Sequence, residues 1–294
     1  MLSTHTILGV TFKVGSGPEL VNHICQTGGL VVVPSAPVLV GISEDPSLRE
    51  AVLGADMAIT DSGLMVLLWR LFRGVKLERV SGLEYLKLLL ERPEVKAPGA
   101  IFWIMPGEEA KARNLAWLRR VGFATTEEDC YVAPFYGQGP IRDDALLAKV
   151  SARQPRHIIV CLGGGVQERV AFAVRNALAR AQPVMGYGLG VKGSDDATSN
   201  SHPLTLNGEA LLRTPNSGAS PVSLHCIGAA IGFLSGDQVK IPMWVDYLYL
   251  GWLWRIASAP TKFFPRYWKA TRLVALLWRY GEKAPVDGKP NPQP

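Results

Sequence analysis

The stretch MAITDSGLMVLLWRLFRG, Met57–Gly74, holds two periodicities on either side of one carboxylate. Up to Thr60 it is a short apolar run of strand character. From Leu64 it is apolar on a helical period. Asp61-Ser62-Gly63 lies at the junction. Asp and Ser are both strong helix N-caps, and either could start a helix at Leu64. A strand that passes through a short polar turn directly into a helix is the repeating unit of a parallel α/β sheet.

The same unit recurs along the chain. Strands are predicted at Ile7–Phe12, Leu30–Val33, Asp56–Thr60, Ala100–Met105, Tyr131–Ala133 and His157–Leu162, with a last one at Val222–Ile227. Helical patterns cover Pro18–Gln26, Pro46–Gly54, Leu64–Phe72, Leu83–Leu90, Glu108–Val121, Arg142–Ala152 and Val166–Arg180. The fold class is α/β: a Rossmann-like, largely parallel sheet with helices on both faces. Several strands end in small or turn-forming residues: Pro34-Ser35, Thr60-Asp61-Ser62-Gly63, Pro106-Gly107, Pro134-Phe135-Tyr136-Gly137 and Gly163-Gly164-Gly165. Strand carboxyl ends share one edge of such a sheet, and ligands bind there. These loops are therefore expected to converge on one cleft containing Asp61.

Composition separates the two ends of the chain. With 294 residues and 48% hydrophobic content, one large core is expected. The formal charge is +6, and from Trp252 onward there are eight Lys/Arg against two Asp/Glu, so the rest is balanced. A local anionic partner, a membrane surface or phosphate groups, fits this better than nucleic acid. The division expected is a core over 1–240 and a basic, aromatic helical appendage with tail over 241–294. Within the core, 186–221 is rich in Gly, Ser, Asn and Pro and reads as a flexible insertion. On a helix, Arg266, Lys269, Arg272 and Arg279 fall within roughly 140° of arc. Tyr267, Val274, Ala275 and Trp278 lie largely opposite, the pattern of an interfacial helix or of an ordinary helix packed on its domain. Trp252, Trp254, Phe263, Phe264 and Trp268 are the candidate lipid anchors, with Lys269 and Arg272 as the basic rim. The segment Gly281–Pro294 is expected to fray. The N-terminus lacks the pattern of a secretory leader, and no uncharged apolar run is long enough to span a bilayer. The scattered Cys25, Cys130, Cys161 and Cys226 point to reduced thiols rather than a zinc site.

Two glycine loops invite a nucleotide. Gly188-Leu189-Gly190-Val191-Lys192-Gly193 matches the dinucleotide spacing, but no helical pattern follows it. Gly163-Gly164-Gly165 sits between a strand and a helix, where backbone N–H groups can hold a diphosphate. Its alternative is a tight turn, with Glu168 placed on the helix dipole. For Asp61 the alternatives are capping and general base catalysis, in which a carboxylate takes a proton from a sugar hydroxyl. Arg79 is either a diphosphate donor or a surface ion pair.

The blocks Ala55–Gly63 (ADMAITDSG), Leu77–Glu84 (LERVSGLE), Cys161–Glu168 (CLGGGVQE), Gly228–Gly236 (GAAIGFLSG) with Ile241–Trp244 (IPMW), and Gly251–Arg255 (GWLWR) with Arg266-Tyr267 stand in a fixed order. In that order they resemble the WecG/TagA/CpsF family of bacterial glycosyltransferases, from about Ile7 to Tyr267. The resemblance implies inverting transfer of a sugar, often N-acetylmannosamine, from a UDP-sugar donor to a polyprenyl-diphosphate-linked saccharide acceptor. No metal or cofactor is implied. It also implies peripheral attachment to the cytoplasmic face of the plasma membrane, self-association and a role in envelope or exopolysaccharide synthesis. By the same resemblance Asp61 corresponds to the proposed general base and Arg79 to the arginine of E-R-x-x-G. Gln167 and Glu168 correspond to the end of P-K-Q-E, and Arg255, Lys262 and Arg266 to diphosphate-holding cations. This chain has Val33-Pro34-Ser35 for the family's T-P-N, Asp61-Ser62-Gly63 for its D-G and Gly165-Val166 for its P-K. Ser35 is therefore the remaining polar candidate at that strand end, and the donor is open among UDP-hexoses. A nicotinamide-dependent oxidoreductase and a catalytically inactive membrane-bound scaffold are the alternative readings.

Overall fold

The computed structural model describes residues 2–181, 221–236, 254, 268 and 270–285. In chain order the elements are β1 (Ser3–Ile7), β2 (Val10–Val14), α1 (Gly17–Thr27), β3 (Gly29–Val32), α2 (Ala36–Gly41), α3 (Pro46–Leu53), β4 (Met57–Ala58), α4 (Gly63–Arg73), α5 (Gly82–Leu90) and α6 (Pro93–Lys96). There follow β5 (Ile101–Met105), α7 (Glu108–Arg120), β6 (Cys130–Val132), α8 (Asp144–Arg153), β7 (His157–Val160), α9 (Val166–Ala181), β8 (Ser223–Cys226), α10 (Ala230–Ser235) and α11 (Arg272–Tyr280).

The strands form one eight-stranded sheet in the order β1-β2-β4-β3-β8-β7-β5-β6. All neighbours run parallel except the β1–β2 pair. Alternate strand residues feed two apolar layers, as the twofold period of a strand requires. Leu30, Val32, Ile158, Val160 and Leu224 pack on one face with Met65 and Trp69 of α4, Val170 of α9, and Leu273 and Leu277 of α11. Val31, Ile159 and Cys161 pack on the other with Leu20 of α1, Tyr85 and Leu89 of α5, and Leu118 of α7. Burial on both faces is why these strands read as continuous apolar runs rather than alternating ones.

Three expectations need correction. The predicted strand Ile7–Phe12 is a hairpin, because Leu8 and Gly9 adopt positive φ (52° and 77°) and turn the chain between β1 and β2. A short helix, α2, follows β3 where only a loop was expected. The segment beginning at Gly281 is not frayed at its start: Leu8 N–H donates to Gly281 O and Gly9 N–H to Glu282 O, both at 2.8 Å. A side chain on Gly9 would meet Ala284 Cβ at 2.6 Å, so this contact also requires a glycine. The insertion lies outside the described residues over 186–220, as does the glycine motif at 188–193; most of the boundary region near 240 lies outside them too.

Candidate active site

Asp61 follows β4 directly. The capping question resolves in favour of its neighbour: Ser62 is the N-cap of α4, and its Oγ accepts the Met65 N–H at 3.3 Å. Asp61 has a different set of contacts. Its Oδ1 accepts the Gly82 N–H, at the start of α5, at 3.0 Å. Arg79 Nε donates to the Asp61 carbonyl at 2.7 Å, and its guanidinium lies 3.9 Å from Oδ1. The buried Thr60 hydroxyl donates to Glu78 O at 2.5 Å. Two segments distant in sequence, 60–61 and 78–82, are thus laced together. Among the described residues the contacts to the carboxylate use Oδ1, which leaves Oδ2 for a proton. The side chain of Asp61 is 29% exposed and that of Arg79 13%, so the carboxylate can be reached and the cation beside it is largely enclosed.

The site continues across neighbouring strand ends. A Cβ added at Gly82 would meet Val33 Cγ1 at 3.3 Å and Ile227 O at 3.8 Å, so the ends of β3 and β8 close on the Asp61 loop. Ser35 is the N-cap residue of α2, but its hydroxyl makes no capping bond. Its Oγ is buried and has no hydrogen-bond partner among the described residues. A buried hydroxyl without a partner is rare, because its desolvation is uncompensated. At the carboxyl edge of the sheet it is a group that a polar ligand would satisfy.

Beyond β8 lies the glycine turn after β7. Gly165 N–H donates to Glu168 Oε2 at 2.6 Å, and the N–H groups of Val166 and Gln167 turn back to Gly163 O. Gln167 Nε2 donates to Glu168 Oε1 at 3.0 Å, and Gln167 Oε1 accepts the Gly228 N–H at 2.6 Å. Both side chains are buried. The start of α9 therefore carries an anion of its own, and the expected phosphate cradle narrows to Gly163 and Gly164. Gln167 and Glu168 tie the turn after β7 to the turn after β8.

Arg169 extends this lacing to the turn after β6. Its Nε donates to Gly165 O at 3.0 Å, and one terminal nitrogen donates to Gly137 O and Gly139 O at 2.9 and 2.6 Å. In that turn Tyr131 and Tyr136 donate to Asp143, which also caps α8. Burial opposes ionisation of Asp143, yet the donors Tyr136, the Leu146 N–H and Tyr131 outweigh it and hold the carboxyl below its ordinary value. Burial and the same hydrogen bond push Tyr131 to about 12. Phe135, at the tip, is 98% exposed. Sequence reasoning missed Thr60, Gly82, Arg169 and the Tyr131–Asp143–Tyr136 cluster. Thr60 and Gly82 lie inside the quoted blocks, Gly82 as the glycine of E-R-x-x-G, but the contacts of Thr60, Gly82 and Arg169 run to partners remote in sequence, which a motif does not announce.

The remaining candidates belong to the C-terminal segment. Trp268 is 66% exposed and Trp254 partly buried; Arg272 is exposed and paired with Glu44. Trp252, Arg255, Lys262, Phe263, Phe264, Arg266 and Lys269 lie outside the described residues. Among the described residues no cluster of three or more His, Cys, Asp or Glu could hold a metal ion, and no helix is long and apolar enough to cross a membrane.

A mostly parallel sheet with helices on both faces, and with a carboxylate and an arginine at its carboxyl edge, defines an α/β protein whose candidate site lies at that edge. The chain matches the glycosyl transferase WecG/TagA/CpsF family over residues 5–192 and 210–285, and it belongs to that family. A comparison with curated protein sequences gives no match.

Proposed function

We propose that the protein transfers a hexose-type sugar, with inversion, from a UDP-sugar to a polyprenyl-diphosphate-linked saccharide, with Asp61 as general base. The observation that supports this reading most directly is the division of labour at the β4–α4 junction. Ser62 caps the helix, and Gly82 and Arg79 hold Oδ1 and the backbone of Asp61. Oδ2 then takes the proton of the acceptor hydroxyl as its oxygen attacks the anomeric carbon from the face opposite the leaving group. The anomeric carbon–oxygen bond to the diphosphate breaks, and UDP departs with the electron pair. Arg79, Gly163 and Gly164, together with Arg255, Lys262 and Arg266, are the groups proposed to stabilise that charge. Ser35 supplies a polar contact to the donor. The reaction proceeds at the inner face of the plasma membrane in envelope or exopolysaccharide synthesis.

The test is UDP release from a panel of UDP-hexoses, with and without a short-chain polyprenyl-diphosphate-linked sugar. Asp61→Asn keeps the size of the side chain and removes the base, and is expected to lower kcat by about 10²–10⁴-fold. Acceptor-dependent release that persists in Asp61→Asn would reduce Asp61 to a brace for Gly82. Perturbed fluorescence of a nicotinamide cofactor on mixing, without UDP release, would support the oxidoreductase instead.

A further inference from the structure

Among the described residues seven large apolar side chains are exposed, and five of them lie on or next to two helices, α4 and α11. Leu67 and Leu71 of α4 are 38% and 75% exposed; Val274 and Trp278 of α11 are 42% and 77% exposed; Trp268 just precedes α11. The two helices touch, and Trp278 stands edge-on against Phe72 with ring centroids 5.7 Å apart. Leu67 and Leu71 are four residues apart on α4, as Val274 and Trp278 are on α11, so each pair forms one stripe. Solvent-facing leucine and tryptophan on adjoining helices form an apolar patch of the kind that soluble surfaces avoid.

The exposed charges on the two helices themselves are basic, and the nearest acidic side chain bonded to them, Glu44, pairs with Arg272 at the start of α11. Arg70, Arg73 and Lys76 are exposed along or just after α4, and Arg279 on α11. Neither 63–76 nor 270–281 contains an acidic residue. A second copy of the chain, pairing the same face with itself, would set arginine against arginine. A surface of anionic phospholipid meets both properties: acyl chains take the leucine and tryptophan, and headgroup phosphates take the cations.

From this we infer that α4, a helix of the catalytic core, docks with α11 on an anionic bilayer. The consequence for the site is geometric. α4 begins immediately after Asp61, so Leu67 and Leu71 stand about 9 and 15 Å from it along the helix axis. Docking by α4 thus fixes where the carboxylate sits relative to the lipid contact, at those distances along the helix. The link to catalysis rests on the lipid-linked acceptor proposed above; the docking face does not.

The experiment is flotation of the full chain with vesicles of phosphatidylcholine alone or mixed equally with phosphatidylglycerol. Binding is expected to the mixed vesicles only, and to fall with added salt. Leu71→Glu combined with Trp278→Glu is expected to lower partitioning at least tenfold. Leu71→Glu alone gives a clean second variant, since that side chain is mostly in solvent, and it should lower partitioning while thermal stability stays unchanged. UDP release with a water-soluble acceptor should survive Leu71→Glu, which separates docking from chemistry. If no acceptor is turned over, the catalytic reading fails while the flotation result stands. Unchanged flotation of the double variant, or equal binding to neutral vesicles, overturns the docking face. So does lipid-free self-association that Leu71→Glu abolishes, which would assign the face to a second copy.

Discussion

At Asp61 and Ser62, two adjacent residues of similar chemistry divide two tasks. A helix start needs an acceptor for its first N–H groups, and Ser62 Oγ provides it. Asp61 is thereby released to face the Gly82 N–H and Arg79. The two positions should separate experimentally. Ser62→Ala is expected to cost about 1 kcal/mol of stability and leave turnover per folded molecule nearly intact. Thermal unfolding and UDP release on the same preparation measure both, and a large loss of kcat in Ser62→Ala would argue that the cap itself sets the geometry of the base. The sequence made Asp61 visible, because a carboxylate between two apolar runs of different period stands out. It could not decide whether Asp61 or Ser62 caps α4, because the partner that holds Asp61 instead is Gly82, which is distant along the chain and has no side chain to betray a role.

Among the elements, the parallel strands and long helices were legible, since each carries an apolar period over many residues. Two features were hidden for physical reasons. The β1–β2 hairpin has Leu8 at positive φ, a conformation for which leucine gives no signal. α2 is only six residues long, too short to display a period. The turns after β6 and β7 show the same limit, because Arg169 joins them through backbone carbonyls that no sequence pattern announces. Arg169→Lys replaces a forked donor with a single ammonium that cannot reach the carbonyls of both turns. A loss of about 1–3 kcal/mol is expected, with faster proteolytic cleavage between 134 and 140. Unaltered cleavage would show that the turn after β6 is held by Tyr131, Tyr136 and Asp143 alone.

For the whole molecule, stability is tied to pH through the middle of the sheet. Tyr85 OH lies 2.8 Å from His225 Nδ1, and His225 Nε2 lies 3.2 Å from His157 Nδ1. The three groups form one hydrogen-bonded chain that needs both rings neutral, and His157 Nε2 is left without a partner among the described residues. Burial, with help from Arg156, lowers His157 to about 4; burial and then His157 hold His225 well below the ordinary histidine value. The unfolded chain, with histidines near 6.5, takes up protons first as pH falls. The stability contributed by these neutral rings is therefore present above about pH 6.5 and lost as pH drops towards 4. For His157 the loss is on the order of 3 kcal/mol. Melting temperature should decline between pH 7 and 5, and the decline should flatten when Tyr85→Phe, His157→Leu and His225→Leu are combined. An unchanged pH slope in that triple variant would place the sensitivity elsewhere.

The position of β8 has a consequence for how the protein is made. β3 and β7 are not bonded to each other; each pairs with β8, which is the last strand among the described residues. As a nascent chain leaves the ribosome, the strands up to β7 can assemble only as two half-sheets, each presenting a raw inner edge. Such edges are templates for pairing with other chains. Until Cys226 has emerged, the half-finished molecule is at its most adhesive, and a chaperone that shields strand edges would matter most in that interval. A premature stop just before Ser223 should yield aggregate rather than a smaller working enzyme.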